Sequence, residues 1–153
     1  MPRIERTATA VWEGNLARGE GTLAAADSEA FAGLGFSLAS RVGSPEGATS
    51  PEELLAAAHA GCFTMSLAGE LGAAGSPPER IELRCRIVMD EIAGSGHQIV
   101  GSQIELRAEV AGLDAGRFAE LVERADAGCP FSSLLRRAGA TVAVEARLEG
   151  GPG

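Results

Sequence analysis

The longest apolar stretch of the chain is TSPEELLAAAHAGCFTMSLAGELG at residues 49–72, and its composition is that of a helix. Ser50, Pro51 and Glu53 form a helix N-terminus, with a capping hydroxyl, a proline at the first helical position and the S-x-x-E capping box. Ala and Leu dominate the rest, and His59 is the only polar residue in the run LLAAAHAGCF. Because a helix that is apolar nearly all round must be buried on most sides, we predict a central helix on which sheets pack.

Strand-like patterns precede this helix. Residues 7–13 and 20–25 are rich in β-prone residues, and the segment GNLARG between them has turn chemistry, which predicts a β-hairpin. Residues 34–42 are again mostly apolar and predict a third strand. Arg41 falls near the end of that strand and is its only charged residue.

Regular alternation of apolar and polar residues returns after the helix. Residues 80–91 and 98–110 place apolar side chains at every second position, and the turn AGSGH lies between them, so they predict a long antiparallel hairpin. Asp114 is a suitable N-cap for an amphipathic helix over residues 115–127, and Gly128 suits the C-terminal end of that helix.

The last part of the chain predicts two short elements. Pro130 at a first helical position favours a helix through Leu135, and residues 140–148 alternate like a final strand. No internal repeat or domain boundary is visible. The pattern predicts an α+β fold with mostly antiparallel sheets around the long helix, as one domain over residues 1–149 with a disordered tail at 150–153.

Charge and composition narrow the classes of partner. The formal net charge is −8 with 13 Lys and Arg residues, which argues against nucleic acid or an anionic membrane as a partner. The longest apolar run, around residues 54–68, contains His59, Thr64 and Ser66, so we expect no transmembrane helix. The N-terminal residues MPRIERTATA lack the apolar core of a signal peptide, so we expect a cytoplasmic protein.

Cys62 lies in the middle of the predicted central helix. A free cysteine in an Ala-rich helix is commonly an inert core residue, whereas a reactive one needs a positive neighbour and some access. Arg41 is a candidate for that neighbour because a guanidinium stays protonated in any environment. The residues alone leave both interpretations open.

Cys129 lies at the predicted junction of two helices. Backbone N–H groups of residues 131–132 would favour a thiolate at this helix N-terminus. Cys129 is therefore either a residue that merely fills the N-cap position or a resolving thiol that closes a disulfide with Cys62.

The sequence gives weaker evidence of a catalytic or metal-binding role for the third cysteine and the two histidines. Cys85 falls on the inward face of a regular strand and is expected to be a core residue. His59 and His97 show no metal-ligand spacing with the cysteines, so no metal is expected. His59 lies one helical turn before Cys62, which indicates either packing or a Cys–His nucleophile pair.

Glu52 has two possible roles, stabilising the helix N-terminus or holding Arg41 by a bidentate ion pair. Glu52 and Cys62 are ten residues apart, which is about 15 Å along an unbroken helix. One arginine does not easily reach both, so either the helix breaks near Gly61 or the ion pair of one chain serves Cys62 of a second chain. Nothing in residues 54–60 favours a break, and we therefore expect a dimer with active sites at its interface.

Four segments together carry a family resemblance: VWEGNLARGEGT at 11–22, SRVG at 40–43, SPEELLAAAHAGCFTMSL at 50–67 and AGCPFSSLL at 127–135. With them the sequence resembles the OsmC/Ohr family of thiol peroxidases, and the OsmC branch more closely. The AAHAxCF and AGCP motifs are specific as a pair, since either alone is common.

The resemblance implies roles for four residues. The family's peroxidatic cysteine falls on Cys62 and its resolving cysteine on Cys129, while the active-site arginine and its carboxylate fall on Arg41 and Glu52. It also implies an intertwined homodimer with strands covering the long helices and two interface active sites. We expect no cofactor.

The function that the resemblance implies is the reduction of organic hydroperoxides to alcohols. Cys62 and Cys129 would form an intramolecular disulfide, and a dithiol reductant, of lipoyl type or another thiol, would restore them. The alternatives are a non-catalytic small-ligand-binding protein on the same fold and a redox sensor that signals through the disulfide.

Overall fold

The computed structural model describes residues 2–150. The tail expected at 150–153 therefore lies outside the described residues, apart from Gly150. The chain divides into two compact units, one up to Leu54 and the other from Leu55 onward. The expectation of a single domain over residues 1–149 stays a prediction.

The first unit contains a small antiparallel sheet in the order β1-β2-β3, whose strands are β1 (Ala8–Glu13), β2 (Glu20–Ala25) and β3 (Leu34–Phe36). The predicted hairpin is thus confirmed. Gly21 lies opposite Phe36 in the sheet, and a β-carbon at position 21 would lie 2.6 Å from the Phe36 ring. Only glycine leaves room for that ring, which also contacts Trp12 with 5.5 Å between ring centroids.

The predicted strand over residues 34–42 is wrong beyond Phe36, because a short helix follows it, α1 (Leu38–Val42). The Ser37 hydroxyl accepts a hydrogen bond of 3.0 Å from the Ser40 backbone N–H, and the Ser40 hydroxyl accepts one of 2.9 Å from the Ser37 N–H. This local capping box satisfies backbone donors that a strand would have to pair elsewhere. Arg41 consequently lies in the last turn of α1.

The long helix is α2 (Pro51–Ala73), and it begins where the sequence predicts. The Ser50 hydroxyl accepts a hydrogen bond of 3.2 Å from the Glu53 N–H, while the Glu53 carboxylate accepts one of 2.9 Å from the Thr49 hydroxyl. One face of α2 is buried, at positions spaced by four residues: His59, Phe63, Leu67 and Leu71.

The opposite face of α2 is open within one chain, and Met65 on it is 71% exposed. The expectation that this helix is buried on most sides is therefore not met by a single copy of the chain, because the spacing of its large side chains supplies only one packing face. The expectation that no apolar segment reaches transmembrane length was also wrong, since α2 is long and apolar enough by length and composition. The core helix of a soluble protein passes the same test.

The second unit contains a sheet in the order β4-β5-β6, with strands β4 (Arg80–Ile92), β5 (Gly96–Glu109) and β6 (Thr141–Glu149). β4 and β5 form the predicted antiparallel hairpin, with a bulge between Val88 and Met89. β6 pairs with β5 in parallel. The α+β class with mostly antiparallel pairing is confirmed.

Two helices connect β5 to β6: α3 (Ala115–Gly128) and α4 (Pro130–Arg137). Asp114 caps α3 as predicted and accepts a hydrogen bond of 2.9 Å from the Arg117 N–H. Gly128 is the last helical residue of α3 rather than the residue after the helix, and the C-cap is Cys129, with φ −75° and ψ 117°. The ring of Pro130 disfavours the helical conformation at the residue before it, so α3 does not extend to Cys129.

The core of this unit lies between the buried face of α2, the inward face of β5 and the apolar stripe of α3. Its largest members are Phe63, Leu67, Leu71, Ile104, Leu106, Phe118 and Leu121.

Candidate functional site

Cys62 and Cys129 meet at one edge of this core, although 66 residues separate them in sequence. Cys62 lies on α2 and is partly buried, and Cys129 lies between α3 and α4 and is fully buried. The Cys129 side chain lies close enough to the Cys62 thiol to raise its pKa. Both cysteines are free thiols in the structure.

The environment of the Cys62 thiol acts on its acidity in two directions. Burial raises its pKa most, and the neighbouring Cys129 side chain raises it further. The backbone N–H of Phe131 acts in the opposite direction and lowers the pKa of Cys62. Phe131 lies in the first turn of α4, where backbone N–H groups have no partner within the helix. One helix start therefore supplies both the second thiol and a donor to the first.

An ion pair braces the junction that holds Cys129. Arg136 of α4 donates to Asp126 of α3, with 3.2 Å between Arg136 Nη1 and Asp126 Oδ1 and a second, shorter contact from Nη2. The pKa of Arg136 is raised chiefly by that hydrogen bond. The pair thus ties the two helices on either side of Cys129.

Arg41 and Glu52 form the ion pair that the sequence suggested. Arg41 Nε donates to Glu52 Oε2 at 3.1 Å, and Arg41 Nη2 donates to Glu52 Oε1 at 2.5 Å. This is the two-point geometry that a guanidinium favours with a carboxylate. The hydrogen bond to Arg41 is the main reason that the pKa of Glu52 is lowered.

The helix that carries Glu52 and Cys62 is continuous, since α2 runs through Gly61 as helix. A break near Gly61, one of the two ways suggested for bringing the ion pair to the cysteine, is therefore ruled out. The other way, a second chain, stays a prediction.

His59 is fully buried and hydrogen-bonded through both ring nitrogens. Nδ1 lies 2.8 Å from Ser102 Oγ, and Nε2 lies 2.9 Å from Ser132 Oγ. Burial is the main cause of its lowered pKa, so the ring is held neutral. Sequence reasoning missed both serines, because they are 43 and 73 residues away and serine in a strand or helix carries no signal of its own.

Cys85 joins the same network from β4. Its Sγ lies 3.3 Å from Ser102 Oγ and 3.8 Å from His59 Nδ1, and burial raises its pKa. It also packs against the hydrophobic core, as the sequence predicted. Over residues 2–150, no group of three His, Cys, Asp or Glu side chains is placed to hold a metal ion.

Comparison with known proteins assigns the family. The model of OsmC-like proteins matches residues 43–145, which is more than half of the chain. The peroxiredoxin OsmC of Escherichia coli is 37% identical over 135 residues, which cover 87% of this chain and 91% of that protein. The chain belongs to the OsmC-like protein family. Cys62, Cys129 and Glu52 lie within the segment that the family model matches, and Arg41 lies just before it.

The chain is also similar to two organic hydroperoxide resistance proteins. An organic hydroperoxide resistance protein of Xanthomonas axonopodis is 33% identical over 91 residues, which cover 58% of this chain and 60% of that protein. The crystal structure of an organic hydroperoxide resistance protein from Legionella pneumophila superposes with a TM-score of 0.66 and 22% identity, covering 96% of this chain and 99% of that one. The last similarity concerns the fold alone.

Proposed function

We propose that this OsmC-like protein is a thiol-dependent peroxidase that reduces organic hydroperoxides to alcohols. The observation that carries the proposal is the proximity of two free thiols, Cys62 and Cys129, with the Phe131 N–H beside Cys62. Relatives named peroxiredoxin OsmC and organic hydroperoxide resistance protein support the same activity.

In the proposed reaction the Cys62 thiolate attacks one peroxide oxygen, the O–O bond breaks, and the alkoxide leaves and takes up a proton as an alcohol. Cys62 becomes a sulfenic acid. Cys129 then attacks the Cys62 sulfur, forming the S–S bond and releasing the hydroxyl with the Cys129 proton as water. A dithiol of lipoyl or similar type returns both thiols by exchange.

Arg41 and Glu52 belong to the same proposal. Burial and Cys129 both raise the pKa of Cys62, so the thiolate needs a cation nearby. The two-point contact with Glu52 orients the Arg41 guanidinium, which could then stabilise the thiolate and the leaving oxygen.

A homodimer is the assembly that we propose for this site. The open apolar face of α2, with Met65 71% exposed, needs a cover, and a second copy of the chain would supply one together with its own Arg41. We further propose a cytoplasmic location, where reducing conditions keep the three cysteines as thiols.

Apolar side chains beside the thiols favour an organic substrate. Met65 lies one helical turn after Cys62 and is 71% exposed, and Phe131 follows Cys129, is partly buried and packs against the core. Burying the alkyl group of a hydroperoxide against such surface adds binding free energy that hydrogen peroxide cannot gain.

Thiol counting after treatment with a stoichiometric amount of cumene hydroperoxide tests the proposal. The wild-type protein should lose two of its three thiols and keep Cys85. Cys62→Ser should lose none rapidly, and Cys129→Ser should react once and stop as a sulfenic acid. The matched control, Cys85→Ser, should turn over normally with dihydrolipoamide as reductant.

The other outcomes identify the alternatives. A wild-type protein that keeps all three thiols is a binding protein with inert cysteines. One that forms the disulfide slowly and does not turn over with excess dithiol is a redox sensor. Unchanged peroxide consumption by Cys62→Ser contradicts the peroxidatic role of Cys62.

A further inference from the structure

A buried chain of polar groups runs behind the two thiols. It connects Ser132 of α4, His59 of α2, Ser102 of β5 and Cys85 of β4 through contacts of 2.9, 2.8 and 3.3 Å. His59, Ser102 and Ser132 are all fully buried. Buried polar groups are costly unless they are paired, so each link of this chain resists separation of the elements that it joins.

The link between His59 and Ser132 joins the two elements that carry the reacting sulfurs. His59 lies three residues before Cys62, one helical turn away on α2. Ser132 lies three residues after Cys129 and directly after Phe131, in the first turn of α4. The bond of 2.9 Å from His59 Nε2 to Ser132 Oγ therefore fixes the start of α4 against the turn of α2 that presents Cys62.

The second ring nitrogen of His59 completes the support. Nδ1 bonds to Ser102 in the central strand of its sheet, so the ring cannot rotate without breaking a bond. The ring also meets Phe63 edge to face, with centroids 6.3 Å apart. A neutral imidazole uses one nitrogen as donor and the other as acceptor, and two hydroxyls satisfy either arrangement.

We propose that His59, acting through Ser132, is a positioning residue that holds Cys129 in line for attack on the oxidised Cys62. This inference rests on the proposed peroxidase function and concerns its second step. In that step the Cys129 sulfur forms a bond to the Cys62 sulfur while the S–O bond of the sulfenic acid breaks, and the hydroxyl leaves with the Cys129 proton as water. Small misplacement of the attacking sulfur slows such a step, whereas the first step does not use the Cys129 sulfur.

Single-turnover experiments on Ser132→Ala, Ser132→Thr and Ser102→Ala separate positioning from general stability. Each protein receives a stoichiometric amount of cumene hydroperoxide, and timed samples are quenched with dimedone to count sulfenic acid and disulfide by mass. For Ser132→Ala we expect disulfide formation to slow by roughly fivefold to tenfold, the worth of one hydrogen bond, with sulfenic acid accumulating. Formation of the sulfenic acid should stay within about twofold of wild type.

The other variants are the controls. Ser132→Thr keeps the hydroxyl and should restore the rate of disulfide formation. Ser102→Ala removes the bond at the other nitrogen of the same ring but leaves the bond to Ser132, so its disulfide should form faster than that of Ser132→Ala even if its stability falls. His59→Gln retains an amide donor for Ser132. Its rate of disulfide formation should therefore lie between the rates of wild type and His59→Leu.

Two results would overturn the proposal. One is a wild-type rate of disulfide formation in Ser132→Ala, and the other is a parallel slowing of both steps in Ser132→Ala and Ser102→Ala. If wild-type protein forms no sulfenic acid at all, the peroxidase function itself fails and this inference fails with it. A wild-type protein that cycles normally while Ser132→Ala behaves identically refutes the positioning role alone.

Discussion

The Cys62 sulfur experiences opposing influences within one chain. Burial and the Cys129 thiol raise its pKa, and only the Phe131 N–H contact lowers it. A nucleophile with a raised pKa is mostly protonated at neutral pH, because an ordinary cysteine titrates near 8.5. The proposed peroxidase therefore depends on a positive charge brought to Cys62, and Arg41 is the residue to which we assign it.

Removing that charge should raise the pKa of Cys62, so that its alkylation requires a higher pH. In Arg41→Ala the causes that raise the pKa of Cys62 act unopposed by the guanidinium. The thiolate fraction at pH 7 should then fall about tenfold if the pKa of Cys62 rises by about 1. The rate of iodoacetamide modification of Cys62, measured from acid to alkaline pH, reports that change in pKa.

The neighbouring glutamates supply a matched control for the same measurement. Glu52→Gln should raise the pKa of Cys62 less, because Glu52 orients the guanidinium, whereas Glu53→Gln should leave it unchanged, because its carboxylate bonds to Thr49. An Arg41→Ala profile that overlies wild type would remove Arg41 from the active site.

At the scale of elements, short helices begin where local hydrogen bonds set them. α1 starts at the Ser37 capping box, which turns the chain out of β3 and carries Arg41 toward Glu52. α4 starts at Pro130, which forces Cys129 out of helical geometry and leaves the thiol at a helix N-terminus. Arg41 and Cys129 are thus both presented by elements only a few residues long.

Loss of the α1 cap should cost stability and disturb Arg41 together. Ser37→Ala removes the acceptor for the Ser40 N–H and should lower the free energy of unfolding by about 1 kcal/mol. Urea denaturation measures that loss, and the Cys62 alkylation profile should move in the direction of Arg41→Ala. Ser95→Ala, in the exposed turn between β4 and β5, is the control and should leave both unchanged. If Ser37→Ala is destabilised but its alkylation profile matches wild type, the α1 cap does not influence the acidity of Cys62.

At the scale of the whole molecule, the open face of α2 is the feature that one chain leaves unexplained. The buried residues of α2 repeat every four positions, and apart from Glu70 the residues between them are small or apolar. Met65 is the largest side chain on that open face and is 71% exposed.

A charge on that face should therefore disrupt the proposed dimer. Burying an unpaired carboxylate costs several kcal/mol, and about 1.4 kcal/mol corresponds to tenfold in a dissociation constant. Met65→Glu should thus weaken dimerisation roughly a hundredfold, as measured by sedimentation. Ala143→Glu adds the same charge on the exposed face of β6 and should leave the oligomeric state as in wild type. A monomeric wild-type protein, or a Met65→Glu protein that sediments like wild type, contradicts the dimer.

Much of the fold follows from local pattern. The β1–β2 and β4–β5 hairpins, the start of α2, the Asp114 cap and the helix at Pro130 were all predicted, because alternation, capping and proline act over a few residues. The one failure among the strands, residues 34–42, came from treating Ser37 as a strand residue rather than as a cap.

The pairing of Arg41 with Glu52 was also suggested by the sequence, and the structure contains it. The serines that hold His59 were not predictable, since the ring meets them only after three elements have packed together.

The sequence by itself determined the candidate residues for the proposed chemistry and most of the helices and strands, because side-chain chemistry and short-range periodicity belong to the chain. Only the tertiary structure decided that Cys129 lies beside Cys62, that the N–H of Phe131 acts on the same thiol, and that His59 joins the elements that carry both thiols. Contacts between residues far apart in sequence depend on how whole elements bury their apolar faces, and that is a property of the packed molecule.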